Sequence, residues 1–203
     1  MLDVIENKNI DLHTAKAGVN ILSSGPIAID ILTPFADSYS NLNNCPAFVR
    51  ITYRKTVILF ICDAEQIIET QLLDSGIDAD VLKVGHHGAG SSSATSFIKE
   101  VSPDVAAISV GKGNSYGHPH TDTLAILNQA GADIYRTNEQ RTIVVTANQN
   151  KKLTVDNKAS TGKKYQRSGC SYLKSKIEPT VSETQSMDLA RAHGATLPDR
   201  SII

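Results

Sequence analysis

Cysteine is scarce in this 203-residue chain: Cys45, Cys62 and Cys170 stand far apart and form no C-x-x-C pair. That spacing excludes a complete disulfide framework and a zinc knuckle. No stretch reaches the roughly 18 apolar residues that a membrane-crossing helix requires, so no span is expected. No apolar run led by Lys or Arg opens the chain, so no secretory signal is visible. An excess of positive charge is also missing, with Lys+Arg 20 against Asp+Glu 21 and a formal net charge of −1. Binding nucleic acid through bulk charge usually takes a basic face. A polyanion would therefore have to be held here by a local site or by a metal ion.

What is present reads as a globular chain, 40% hydrophobic and 20% charged, of a length suited to one domain and a little more. Charge divides unevenly along it. Residues 1–150 carry 10 Lys+Arg against 16 Asp+Glu, a balance of −6, and residues 151–203 carry 10 against 5, a balance of +5. Such asymmetry suggests an acidic folded body over 1–155 and a basic linker with a small, weakly cored appendage over 156–203.

The body alternates between strand and helix patterns. Pro26–Thr33 alternates apolar and polar residues with Ile27, Ile29 and Ile31 on one face, as a half-buried strand does. Ala47–Tyr53 and Thr56–Ile61 are rich in β-branched and aromatic residues and are joined by Arg54-Lys55, which predicts a hairpin. Ala64–Asp74 turns to helical spacing, with Ile67, Ile68, Gln71 and Leu72 near one face. Strands are expected at Asp80–Val84, Asp104–Val110, Ala132–Arg136, Thr142–Ala147 and Lys152–Val155, and helices at Ser93–Val101 and Thr121–Ala130. The fold class is α/β, a mixed sheet covered by helices.

Four of the six histidines fall within one 35-residue stretch: His86, His87, His118 and His120. His86-His87-Gly88 follows the strand ending at Val84, Gly117-His118-Pro119-His120 follows the strand ending at Val110, and Asp63 follows Val57–Ile61. The carboxyl ends of parallel strands are where α/β sheets bind ligands. Imidazoles and a carboxylate on converging loops suit zinc, manganese or iron. Plainer readings stand beside this one. Asp63 would cap a helix starting at Ala64, and the two histidine pairs would be turn residues or would bind a phosphate without metal. Ser91-Ser92-Ser93 after Gly88-Ala89-Gly90 looks like a phosphate cradle, although Gly/Ser loops are common.

Five blocks bear a closer likeness. In order they are Asp63-Ala64-Glu65, Val81 to Gly88 (VLKVGHHG), Ser102 to Gly111 (SPDVAAISVG), Asn114 to His120 (NSYGHPH) and Ala132 to Asn138 (ADIYRTN). Residues 56–147 resemble the C-terminal half of the metallo-β-lactamase-like domain of the ComEC DNA-uptake family and its free-standing relatives. Gly25–Pro34 and Asn43–Tyr53 fit the preceding strands more loosely.

The resemblance implies an αββα sandwich, a metal-dependent hydrolase acting on DNA or another phosphodiester, and work outside the cytoplasmic membrane. Asp63 matches a metal ligand able to bridge two ions, and His86 or His87 matches the next ligand. His118 and His120 match the late G-H-P-H motif, placed near the substrate phosphate or leaving group. Ser91 and Asn114 are the candidate substrate-binding residues, and the expected cofactor is a divalent metal, Zn or Mn.

Two departures shape the expectations. The family's principal ligand motif, H-x-H-x-D-H, occurs nowhere in this chain, and Cys62 stands where the family usually has glycine. The domain is therefore expected to be incomplete at its N-terminus, or to be a degenerate, non-catalytic binding module. Strands lacking their cover would also favour self-association. In the tail, Lys163–Lys174 is similar to an Ada-like metal-binding module. Gln166 stands where that module would want His, and Cys170 remains as its lone ligand, so the tail is expected to bind no zinc and to be poorly ordered.

Overall fold

Alternation of apolar and polar residues builds the first half of the sheet, and short apolar runs build the second. The computed structural model describes residues 13–36 and 46–156, with Ile5, Asn7, Lys8, Asp11 and the backbone of Ser201–Ile202. Cys45, Cys170 and the expected Ada-like segment lie outside the described residues. Strand β1 (Asn20–Ser24) pairs with β2 (Ile27–Ile31), β2 with β3 (Val49–Tyr53) and β3 with β4 (Thr56–Phe60), all antiparallel. From β4 onward the pairing is parallel, through β5 (Val81–Lys83), β6 (Val105–Ile108) and β7 (Asp133–Arg136). The seven strands lie side by side in chain order.

Helices connect the parallel strands. They are α1 (Gln66–Thr70), α2 (Thr95–Val101) and α3 (Thr121–Gln129), followed by a single turn, α4 (Thr137–Gln140), after β7. Because strand side chains alternate between faces, Leu59, Leu82, Ala106 and Ile108 all point to the helical side. There they bury with Ile68 and Leu72, with Phe97, Ile98 and Val101 of α2, and with Leu127 of α3. Phe48 and Phe97 meet edge to face, with ring centroids 6.2 Å apart.

The opposite face carries Ile58, Val81 and Val105. These pack with Phe60 and Tyr135 against Val145, Leu153 and Val155. The last three belong to a second, smaller sheet of β8 (Val144–Ala147) and β9 (Leu153–Asp156), with β10 (Ser201–Ile202) on the other side of β8. Helices, large sheet and small sheet thus form three layers over the parallel half. Asp80 fastens the two sheets together. Its carboxylate accepts the Val57 N–H at 2.7 Å, and Lys151 from the β8–β9 turn reaches it at 2.7 Å. That pairing raises the Lys151 pKa.

The α/β class, the mixed sheet and the expected order of elements agree with this architecture. Two local readings do not. The helix expected over Ala64–Asp74 is α1 alone, continued by turns, and Ile67 is 57% exposed while its neighbours Ile68 and Glu69 are buried. A buried carboxylate holds that side of the helix inward, as described below. β1 was not anticipated: NILSS lacks a period-2 pattern, and all five residues are exposed. β2 and β3 are largely half-buried.

Candidate functional site

Each parallel strand ends at the same edge of the sheet, so each delivers its following loop to one place. Asp63 follows β4, His86 and His87 follow β5, the segment from Ser109 to His120 follows β6, and Thr137 follows β7. Backbone hydrogen bonds fix the loops to one another. His86 N–H donates to Cys62 O at 3.0 Å, Gln66 N–H to Ser91 O at 3.0 Å, and His120 N–H to Gly88 O at 2.9 Å.

The turn at Gly85–Gly88 is sharp. Both His86 (φ 45°) and His87 (φ 55°) sit in the left-handed region, a conformation that is uncommon for side-chain-bearing residues and clusters at functional sites. This turn gives the two rings different partners. His87 Nε2 lies 3.8 Å from Asp63 Oδ1, and His87 Nδ1 lies 2.6 Å from the Ser109 carbonyl oxygen. His86 instead faces Ser91 Oγ, 3.5 Å from its Nδ1, and the His118 ring, with centroids 6.0 Å apart. Geometry thus separates the two histidines: His87 meets the Asp63 carboxylate, whereas His86 faces Ser91 and His118.

His118 stands at the middle of the ring cluster. Its centroid lies 5.2 Å from that of His120 and 5.8 Å from that of Tyr116, the latter pair stacked at 19°. Desolvation first, and then the neighbouring imidazoles of His120, His86 and His87, hold the His118 pKa below its ordinary value. The ring is therefore neutral at neutral pH. Its Nδ1 is buried and has no hydrogen-bond partner among the described residues.

Two glycines make the close packing of these loops possible. A Cβ on Gly88 (φ +80°) would lie 2.7 Å from Pro119 Cβ, and one on Gly90 would lie 2.8 Å from His120 Nδ1. At Gly88, where the obstacle includes backbone and the φ is positive, only a residue without a side chain lets the chain come so near.

Other candidates take supporting places. Asn114 spends its amide within its own loop: Nδ2 donates to Gly111 O and His118 O, and Oδ1 accepts the His118 N–H. In this arrangement it shapes the loop that carries His118. Asp63 does not cap a helix, since α1 starts at Gln66 with Glu65 at the N-cap position. Cys62 is accommodated without a positive φ, and its Sγ donates to Ala47 O at 3.2 Å.

Three contributors were not singled out from sequence. Glu69 is fully buried, and its two oxygens accept the N–H groups of Ser93 and Ala94, each at 2.7 Å, just before α2. Burial outweighs those two bonds and raises its pKa to about 6. Lys83 donates to Ile61 O at 2.9 Å, and desolvation lowers its pKa despite the opposing pull of Asp63. Tyr116 lies inside the NSYGHPH block, stacked on His118. Glycine and histidine drew attention because their chemistry is conspicuous, whereas a lone Glu, Lys or Tyr has no local signature.

The donors can be weighed against a divalent metal. Asp63 and His87 approach as two ligands of one ion would, and the Ser109 carbonyl holds the second nitrogen of His87 in the manner usual behind metal-binding imidazoles. Catalytic zinc sites generally take three protein ligands. Among the described residues no three His, Cys, Asp or Glu side chains are grouped to hold an ion. The described residues fit part of a metal site.

Fold and site together define an α/β protein with a carboxylate and a cluster of imidazoles on the carboxyl edge of its parallel strands. No family model matches the chain. It is 30% identical over 145 residues to ComE operon protein 3 of Bacillus subtilis (strain 168), covering 70% of this chain and 19% of that protein. It is 36% identical over 75 residues to Recombination protein 2 of Haemophilus influenzae (strain ATCC 51907 / DSM 11121 / KW20 / Rd), covering 37% of this chain and 10% of that protein. The chain therefore spans about a fifth and a tenth of the lengths of these relatives. No helix among the described residues is long and apolar enough to cross a membrane.

Proposed function

We propose that this chain serves DNA uptake as part of a metallo-β-lactamase-like hydrolase of phosphodiesters, working outside the cytoplasmic membrane. The observation that carries this reading is the approach of Asp63 and His87 to 3.8 Å beside the His86, His118 and His120 rings. Similarity to ComE operon protein 3 supports the link to competence. The three-layer arrangement supports an αββα sandwich of which the described residues form part.

In this reading Asp63 and His87 hold a divalent cation, zinc or manganese, together with ligands from outside the described residues. Such an ion supplies Lewis acidity and lowers the pKa of a bound water. The chain's own residues bind and orient. Neutral His118 and its neighbour His120 offer ring N–H groups to a phosphoryl oxygen or a leaving oxygen. Ser91 and the turn that carries it bear on His86, and Asn114 keeps His118 in place.

Elemental analysis of the purified protein after zinc or manganese loading, beside Asp63→Ala, tests the reading. Metal retained by the native chain and lost from the variant is expected; equal content in both removes Asp63 from any ligand role. A second reading is favoured by the two-donor character of the described site. In it the edge binds nucleic acid without cleaving it, and added Mn²⁺ or Zn²⁺ brings no nuclease activity.

A further inference from the structure

We infer that Tyr116 and His118 form a stacking wall for an unpaired nucleobase, seated in the cavity that these two rings share with the end of β6. The inference rests on the proposed phosphodiester substrate and names how its base would be held.

Tyr116 is 76% exposed, yet it is not loose. Its ring lies nearly parallel to His118, and the loop between them is braced by the three hydrogen bonds of Asn114. Beside the rings opens a cavity of about 430 Å³, with His87, Val110 and Thr137 among its walls. This is within the range of sites that take small ligands, roughly 300–1,000 Å³.

The chemistry of the walls selects the ligand. Thr137 Oγ1 is engaged by both the N–H and the carbonyl of Val110, at 2.7 and 2.8 Å. The wall therefore presents mainly carbon and the faces of aromatic rings. Such a surface suits a flat aromatic ring better than a phosphate. His87 lines this cavity and also meets Asp63, so a base lodged here leaves its own phosphate near the imidazole cluster. The body that carries the cavity, residues 1–150, has a balance of −6, which disfavours affinity of this face for backbone phosphates and leaves stacking as its main attraction. A base inside a duplex is already stacked, so the expected ligand is single-stranded. Stacking of one base on an aromatic side chain is worth about 1–3 kcal/mol.

The test uses a short single-stranded oligodeoxynucleotide carrying 2-aminopurine, in the presence of a metal chelator. Binding should quench the probe, as stacking does. Tyr116→Ala should weaken binding by about 5- to 150-fold, the equivalent of that stacking energy. Tyr116→Phe should stay within about twofold, and an abasic strand should bind as weakly to the native protein as the intact strand binds to Tyr116→Ala. Absence of binding by the native protein, equal binding by Tyr116→Ala, or equal binding of the abasic strand would each overturn the inference. Chelation separates the two readings: failure of metal-dependent hydrolysis leaves this measurement unaffected, and failure of stacking leaves the metal content unaffected.

Discussion

Asp63 and His87 meet with Oδ1 and Nε2 3.8 Å apart because β4 and β5 are parallel neighbours and end at the same level. The Ser109 carbonyl, 2.6 Å from Nδ1, accepts a hydrogen bond that, of the two neutral tautomers, only the Nδ1–H form can donate. His87 should therefore populate the Nδ1–H tautomer, leaving the Nε2 lone pair toward the carboxylate and available to a cation. Long-range ¹⁵N–¹H correlation spectra of the metal-free protein at pH 8 would read this directly. A ring protonated mainly on Nε2 would rule out the arrangement.

Glu69 sets a pH dependence whose sign is fixed. Its folded pKa is raised from 4.5 to about 6, so the native state binds protons more tightly than the unfolded chain. Its contribution to stability is full below about pH 4.5 and is lost as pH rises through 6. The loss is about 2 kcal/mol, at 1.36 kcal/mol per pKa unit. Glu69→Gln cannot titrate. It should gain about that much on the native chain between pH 4 and pH 7, as read by denaturant unfolding at a series of pH values. The reverse trend would mean that the bonds from Ser93 and Ala94 outweigh desolvation.

The two site glycines should respond differently to an added methyl. At Gly88 the new Cβ meets the proline ring and backbone and the φ is positive, so Gly88→Ala should destabilise by about 1–3 kcal/mol. At Gly90 the obstacle is the His120 ring, which can swing away. Gly90→Ala should keep the melting temperature near that of the native chain while moving the His120 resonances. Equal loss of stability in both variants would contradict the packing described.

β1 leaves Ile21 and Leu22 exposed on an outer strand. Among the described residues no strand pairs with the outer side of β1, and edges of this kind recruit further strands. The isolated chain should self-associate, and Ile21→Lys with Leu22→Lys should shift its mass by light scattering toward the monomer. A native chain that is already monomeric at the same concentration would dismiss the edge as the cause.

Much of the molecule is legible because alternation marks a half-buried strand and short apolar runs mark β4, β5 and β6, which are largely buried on both faces. The alternation of Ile27, Ile29 and Ile31 placed β2, and the apolar runs ending at Ile61, Val84 and Val110 placed the parallel strands and the edge where the histidines gather. The helix after β4 was misread for a reason outside any periodicity rule. Glu69 turns inward to satisfy the Ser93 and Ala94 N–H groups, rotating Ile67 toward solvent. The sequence could not separate His86 from His87 either, since the left-handed turn that sends them to different partners is a property of their backbone. Tyr116 was hidden by its exposure: nothing in composition distinguishes an idle surface tyrosine from one held against a histidine.

All three crossovers from β4 to β7 return along the same side of the sheet, so every added helix brings its preceding loop to a common rim. Exchanging one such loop would alter what the rim recognises while the strands beneath stay as they are. The scaffold can thus be retuned piecemeal, one segment at a time, with little penalty to its foundation.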